Sequence, residues 1–114
     1  MISGKRLEVA FYCTDAGREP VREWLKKLSR DDRRSIGVDL KTVQFGWPLG
    51  MPLVRKLEPG IWEVRSSLDR RIARVLFTVV GETLVLLHGF VKKSQKTPLS
   101  DLEVARSRKA ELEK

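Results

Sequence analysis

The chain has 114 residues and a formal net charge of +8 at pH 7, with 41% hydrophobic and 33% charged residues. These values predict one globular domain over residues 1–114, built around a single core. No apolar run approaches the roughly 18 residues that a transmembrane helix needs, and charges interrupt the N-terminus where a signal peptide would be apolar, so we expect a cytoplasmic protein with no membrane partner.

The N-terminal half predicts a strand followed by two helices. Residues 7–12 alternate well enough for a strand. Pro20 is placed to open the first helix, and Ser29 with Asp32 predicts the start of a second helix that Gly46 ends. The apolar stripe of the first helix is Val21, Trp24, Leu25 and Leu28, and that of the second is Ile36, Leu40 and Val43. Since almost no linker separates the two helices, we expect an antiparallel helical hairpin.

After the Pro/Gly-rich residues 47–52, the pattern changes from helical to extended. The next segments have the composition and the short turns of strands in an antiparallel meander. They span residues 54–57, 61–65, 72–80 and 83–91. Ser100 and Glu103 form a capping-box pattern, and Leu99 and Val104 are spaced for a hydrophobic staple, so we expect a C-terminal helix to follow Pro98.

These elements predict an α+β fold. It consists of an N-terminal strand, an α-helical hairpin, an antiparallel meander of three to four strands and a C-terminal helix. The helices are expected to pack on one face of the sheet, which leaves the other face open.

Positive charge is concentrated in the strand region. Between residues 54 and 98, nine lysines and arginines stand against four acidic residues, which supplies +5 of the formal +8. Alternation places Trp62 and Arg65 on opposite faces of their strand, so Arg65 projects from the open side if Trp62 faces the helices. Arg74 on the next strand is expected on the same side, although alternation alone does not fix the register between strands. This concentration of charge predicts a polyanionic partner.

Several motifs of this region occur together. They are the aromatic-Glu-x-Arg strand at 61–65, an arginine-containing strand at 74–77, the Gly-Phe-x-Lys-Lys run within 86–93, the Lys-Thr-Pro of 96–98, and a following helix with Ala105 and Arg106. In this combination the chain resembles the phage-derived branch of the RelE/HigB toxin superfamily, and the resemblance covers nearly the whole chain. It implies a ribosome-dependent mRNA interferase, a small basic toxin of a type II toxin–antitoxin system that cleaves messenger RNA and is neutralised by a cognate antitoxin. In the HigB branch the antitoxin is commonly a helix-turn-helix protein.

Cleaving RNA without a metal ion requires that the 2′-oxygen be driven onto the adjacent phosphorus. The reaction needs a proton acceptor, cations around the developing phosphorane and an acid for the 5′-oxygen. Arg65 and Arg74 suit the stabilisation of the phosphorane, because arginine offers planar, permanently charged donors. Lys92 and Lys93 crowd each other, which favours proton exchange, and His88 is a further candidate acid or base.

Other basic residues are candidates for holding RNA rather than for chemistry. They are Lys56, Arg70, Arg71 and Lys96. Arg70 and Arg71 equally fit a solvated charge run, the lysine loop can grip phosphates without catalysis, and Arg108 is expected on the general surface. A structural role for His88 is as well supported as a catalytic one. No tyrosine lies near the end of the final strand, where some related toxins carry a catalytic aromatic, and Phe90 cannot ionise, so the general base stays open.

Three functions fit the sequence. The first is the ribosome-dependent endoribonuclease. The second keeps the fold without the chemistry, as in relatives resembling ParE that bind DNA gyrase, although the set of cations argues against it. The third is a basic RNA- or DNA-binding module without catalytic activity, against which the absence of an aromatic stacking platform is mild evidence.

Cys13 is the only cysteine of the chain, which excludes an internal disulfide. One thiol and one histidine fall short of a metal site, so no metal or other cofactor is expected. At the end of an apolar strand, Cys13 is expected to be a small core residue.

Overall fold

The computed structural model describes residues 6–93 and 96–114. In chain order the elements are β1 (Glu8–Phe11), α1 (Pro20–Lys26), α2 (Arg30–Gly46), β2 (Val54–Glu58), β3 (Ile61–Leu68), β4 (Arg71–Val80), β5 (Thr83–Lys92) and α3 (Leu99–Leu112). The predicted α+β order is confirmed. Among the described helices, none combines the length and the apolar composition that a bilayer crossing demands.

The five strands form one mixed sheet in the order β1-β5-β4-β3-β2. Strands β2 to β5 pair antiparallel with their neighbours in sequence, so the predicted meander is confirmed with four strands. β1 adds to the outer edge of β5 as a parallel strand. Between β4 and β5, Leu76 pairs with His88 but Phe77 pairs with Leu86, which makes Leu87 the extra residue of a β-bulge.

The first two helices cover one face of the sheet, with α1 on β5 and α2 on β3. Pro20 occupies the first turn of α1, and Ser29 caps α2 because its hydroxyl accepts a hydrogen bond from the Asp32 N–H at 3.1 Å. The buried cluster under these helices comprises Leu7, Val21, Ile36, Val43, Val54, Val64, Ala73, Val75, Phe77, Leu84 and Leu86. Trp47, which follows α2, packs edge-on against Trp62 with ring centroids 5.0 Å apart. The local signals for both helices and their apolar stripes are therefore confirmed.

The opposite face of the sheet is not left open, which corrects the sequence prediction. α3 packs on it through Ala105 and Leu102. The sheet residues beneath α3 are Ile61, Leu76, Val85, Leu87 and Phe90, with Tyr12 beside them. Alternation shows which side chains share a face, but it does not show which helix covers that face.

Two local predictions are wrong. α3 begins at Leu99 with Pro98 as its N-cap and without a side-chain cap, so Ser100 and Glu103 do not form a capping box, and Leu99 is exposed rather than stapled. Proline is favourable here because its fixed φ sets the direction of the chain at the helix start. Cys13 is exposed rather than in the core, because β1 ends at Phe11 and Cys13 lies in the loop that follows.

Candidate nucleic-acid site

Charged side chains of three neighbouring strands meet on the α3 face of the sheet. Arg55 on β2 pairs with Glu63 on β3, and Arg65 on β3 pairs with Arg74 on β4. Since cross-strand partners project from the same face and residues two apart on a strand share a face, all four side chains lie on one side. The register that alternation could not fix puts Arg65 and Arg74 opposite each other. We refer to Arg55, Arg65 and Arg74 as the arginine cluster.

A buried carboxylate holds this cluster together. Glu63 and Arg74 are both fully buried. Arg74 Nη1 donates to Thr97 Oγ1 at 3.2 Å, and the Thr97 hydroxyl in turn donates to Glu63 Oε2. Glu63 Oε1 lies 3.7 Å from Arg65 Nε. Because burying a charge is costly unless a counter-charge or hydrogen bonds compensate, Glu63 explains how Arg74 is tolerated inside the protein.

Burial and neighbouring charges act in opposite directions on Arg74. Burial, followed by the positive charges of Arg65 and Arg55, lowers the pKa of the Arg74 guanidinium, whereas the negative charge of Glu63 raises that pKa. An arginine starts from so high a value that it stays protonated. The cluster of three arginines and one carboxylate therefore keeps an excess of positive charge.

The exposed part of the site consists of Arg55, Arg65 and the lysines at the end of β5. Arg65 keeps 12% of its side chain exposed, and Arg55 is exposed. Lys92 pairs with Ile72 at the end of β5 and is exposed, and by alternation it shares the face of Arg74. Lys93 and Lys96 are exposed in the loop beyond β5, whereas residues 94 and 95 lie outside the described residues.

His88 lies on the same face but is held by α3. Its Nε2 is 2.7 Å from Asp101 Oδ1, in the first turn of that helix, and its ring centroid is 5.5 Å from that of Phe90. The side chain is 19% exposed. A carboxylate partner at Nε2 favours the tautomer that carries a proton there. The pair thereby fixes the imidazole and ties α3 to β5.

Three other candidate basic residues are not brought to the cluster. Lys56 pairs with Trp62, so its side chain lies on the α1–α2 face of the sheet. Arg71 Nη2 is 2.9 Å from Asp32 Oδ2 of α2, which also places it on that face. Arg70 is exposed in the β3–β4 turn with a φ of 57°. Their predicted contacts with RNA are therefore separate from the arginine cluster.

The expectation for Arg108 is wrong. Its Nη1 donates to the Leu87 carbonyl at 2.8 Å, and its guanidinium carbon lies 5.5 Å from the centre of the Tyr12 ring. Burial lowers the pKa of Arg108, which the Tyr12 side chain partly offsets. Arg108 therefore helps to hold α3 on the sheet rather than lying on the general surface.

Sequence reasoning missed part of this arrangement. Alternation put Glu63 on the face of Arg65, but neither Glu63 nor Thr97 was given a role, and Arg55 and Asp101 were not candidate site residues. Spacing gives one usable signal, because Glu63 stands two residues before Arg65 and must share its face. The positions of Thr97 and Asp101 depend on where the chain after β5 returns to the sheet, which no local pattern encodes.

Comparison with known proteins adds a family to this geometry. Residues 23–110 match the family model described as phage derived protein Gp49-like (DUF891). The match runs from α1 into α3, so it includes the arginine cluster, Glu63, His88 and Thr97. A search of curated proteins finds no match. Since the family model covers well over half of the sequence, the chain belongs to the phage-derived Gp49-like family.

Proposed function

We propose that the chain is the toxin of a type II toxin–antitoxin system, within the RelE/HigB superfamily, and that it cleaves messenger RNA on the ribosome without a metal ion. Membership of the phage-derived Gp49-like family is compatible with a toxin. The motif resemblance supports the superfamily assignment. The observation that carries the proposal is the pairing of Arg65 with Arg74 on adjacent strands, with Arg55 and Lys92 on the same face.

The arginine cluster suits the charge that develops during the reaction. The 2′-oxygen forms a bond to the phosphorus while the bond from phosphorus to the 5′-oxygen breaks, which leaves a 2′,3′-cyclic phosphate and a 5′-hydroxyl. Negative charge builds up on the non-bridging phosphate oxygens. Arg65 offers bidentate donors for those oxygens, and Arg74 adds a fixed positive charge from within the protein.

Lys92 and Lys93 are the candidates for moving protons. The 2′-hydroxyl must lose a proton as it attacks, and the 5′-oxygen must gain one as it leaves. Both lysines are exposed, and Lys92 shares the face of Arg74. His88 is less accessible, because Asp101 already holds its Nε2.

The proposed partners follow from the same charge. Exposed Arg55, Lys92, Lys93 and Lys96 suit the phosphates of messenger RNA and of the ribosome. A cognate antitoxin, proposed to be a helix-turn-helix protein, would have to cover or displace this basic surface with acidic or helical segments.

One observation favours a second candidate, a nucleic-acid-binding module without catalysis. The side chain with the most suitable chemistry for proton transfer, His88, is engaged by Asp101 and mostly buried. If the lysines also do no chemistry, the site binds phosphates and cuts nothing.

Primer extension on a messenger RNA during in vitro translation separates these functions. The proposal expects new 5′ ends within codons that appear only while ribosomes translate the message. The Arg65→Ala variant, purified in the same way, controls for contaminating nucleases. Cuts in naked RNA would contradict ribosome dependence, inhibition of gyrase supercoiling without cuts would indicate a ParE-like protein, and RNA binding alone would indicate the non-catalytic module.

A further inference from the structure

The hydroxyl of Thr97 lies between two fully buried charged side chains. It accepts a hydrogen bond from Arg74 Nη1 at 3.2 Å and donates one to Glu63 Oε2. Glu63 and Arg74 belong to the central strands β3 and β4, whereas Thr97 lies between the end of β5 and the start of α3. A chain of hydrogen bonds therefore connects the middle of the sheet to the segment that follows the lysines.

The polarity of this chain requires a hydroxyl group. A guanidinium only donates hydrogen bonds and a carboxylate only accepts them, whereas a hydroxyl does both at once. Serine preserves this property in a smaller side chain. Valine preserves the shape of threonine but neither donates nor accepts. The chemistry of Thr97, and not its volume, is thus what Arg74 and Glu63 use.

The position of Thr97 in the chain connects it to the proposed substrate contacts. Lys96 precedes it directly, and Lys92 and Lys93 stand a few residues earlier at the end of β5. Anchoring Thr97 to Glu63 therefore holds the chain next to Lys96 at the sheet. A second hydrogen bond, from Arg74 Nη1 to the Thr97 hydroxyl, holds the guanidinium of Arg74, the cross-strand partner of Arg65.

We propose that Thr97 is a positioning residue, which orients Arg74 through a direct hydrogen bond and, through its bond to Glu63, holds the chain next to Lys96 on the side of the arginine cluster. Its effect on RNA cleavage rests on the proposed function. Its effect on Arg74 is a property of the protein alone, so the two are tested separately.

The first measurement is the ¹⁵N NMR spectrum of the Arg74 side chain, assigned with Arg74→Lys. In the wild type and in Thr97→Ser, the hydrogen bond is expected to slow rotation of the guanidinium and give resolved Nη–H signals. In Thr97→Val and Thr97→Ala those signals are expected to broaden or merge. Alanine provides a second variant in case valine does not fold, and Thr42→Val, on the exposed side of α2, is the matched control.

The second measurement is cleavage in the translation assay. Thr97→Val and Thr97→Ala are expected to cut about tenfold more slowly, as suits the loss of a hydrogen bond to a charged group, with ribosome association unchanged. Thr97→Ser is expected to restore cleavage, which a loss of packing alone would not predict. Unchanged Arg74 signals in the valine and alanine variants would overturn the inference, as would an equal loss of cleavage in Thr42→Val. If the wild type cuts no RNA, the proposed function fails, and altered Arg74 signals still support the positioning role.

Discussion

Arg74 is fully buried, whereas its cross-strand partner Arg65 keeps 12% of its side chain exposed. In the proposed reaction, Arg65 is therefore expected to contact the phosphate. Arg74 is expected to act on the same phosphate through its charge, from a region where the low dielectric strengthens electrostatic interactions. We thus expect separable roles for two arginines that look equivalent in the sequence.

Replacing either arginine with alanine is expected to lower the rate of cleavage by about a hundredfold or more, because in the proposed reaction each arginine stabilises the negative charge of the transition state. Arg74→Ala is also expected to lower the free energy of unfolding, by about 3 kcal/mol and by more than Arg65→Ala, since Arg74 is the fully buried one of the two counter-charges of Glu63. Primer extension and urea denaturation measure the two effects.

The matched control for these variants is Arg34→Ala, at an exposed position of α2. It is expected to change neither cleavage nor stability appreciably. Arg108 is unsuitable as a control because its guanidinium bonds to the Leu87 carbonyl. Normal cutting by folded Arg65→Ala and Arg74→Ala would show that this face of the sheet is not the active site.

RNA affinity is expected to fall steeply with ionic strength, because binding to phosphates releases condensed counterions. Lys96→Ala should reduce the slope of log K against log salt concentration by about 1, the loss expected for one phosphate contact. Lys41→Ala, at an exposed position of α2 away from the arginine cluster, should leave the slope unchanged. Fluorescence anisotropy with a labelled RNA measures the affinity at several salt concentrations. An affinity that does not change with salt would contradict the binding of phosphates by these lysines.

The ion pair between Glu58 on β2 and Arg106 on α3 predicts a pH dependence of stability. Glu58 Oε1 and Arg106 Nη2 are 2.7 Å apart. The hydrogen bond from Arg106 lowers the pKa of Glu58, against an opposing effect of burial. A depressed folded-state pKa stabilises the fold above the unfolded value of about 4.3, and this stabilisation disappears as the pH falls through the folded-state pKa.

Glu58→Gln is therefore expected to be less stable than the wild type at pH 7 and equally stable in strong acid. Urea denaturation at a series of pH values gives the difference in free energy of unfolding. Glu8→Gln, at an exposed position of β1, is the control. A difference that persists unchanged at acidic pH would show that the ion pair is not its cause.

Two glycines are expected to respond in opposite ways to substitution by alanine. A Cβ atom at Gly89 on β5 would overlap the indole ring of Trp24 from α1, so Gly89→Ala is expected to cost about 1–3 kcal/mol. A Cβ atom at Gly37 within α2 would meet nothing within 4 Å, so Gly37→Ala is expected to stabilise by about 0.5–1 kcal/mol. Thermal denaturation compares the two, and an unchanged melting temperature for Gly89→Ala would contradict the close packing of α1 on β5.

The elements of the fold were predictable where short-range chemistry decides them. Pro20 and the Ser29 cap determine where the first two helices begin, and alternation with tight turns determines the meander. A helix after Pro98 was predicted and is confirmed, but its predicted cap was wrong, because Ser100 and Glu103 match a familiar capping pattern while Pro98 itself occupies the N-cap position. Local patterns also gave no reason to place α3 on the face of Arg65.

The site was predictable only in part, because its decisive contacts join distant segments. The Glu63–Thr97 and Arg71–Asp32 contacts span 34 and 39 residues. Arginines on adjacent strands were recognisable candidates, and the register then put them together. Arg71 looked the same as they did in the sequence, but its carboxylate partner on α2 lies on the other side of the sheet.

The β-bulge at Leu87 changes which residues of β5 face the first two helices. Before the bulge, Leu84 and Leu86 face these helices. After the bulge Val91 faces them, so the residues on this side are even-numbered before Leu87 and odd-numbered after it. If β5 kept all its residues and alternated regularly, without a bulge at Leu87, even-numbered positions would go on facing the first two helices, and His88 and Lys92 would point away from Arg74. The meeting of cations on the α3 face thus depends on the bulge, which shifts the alternation of the C-terminal half of β5 by one residue.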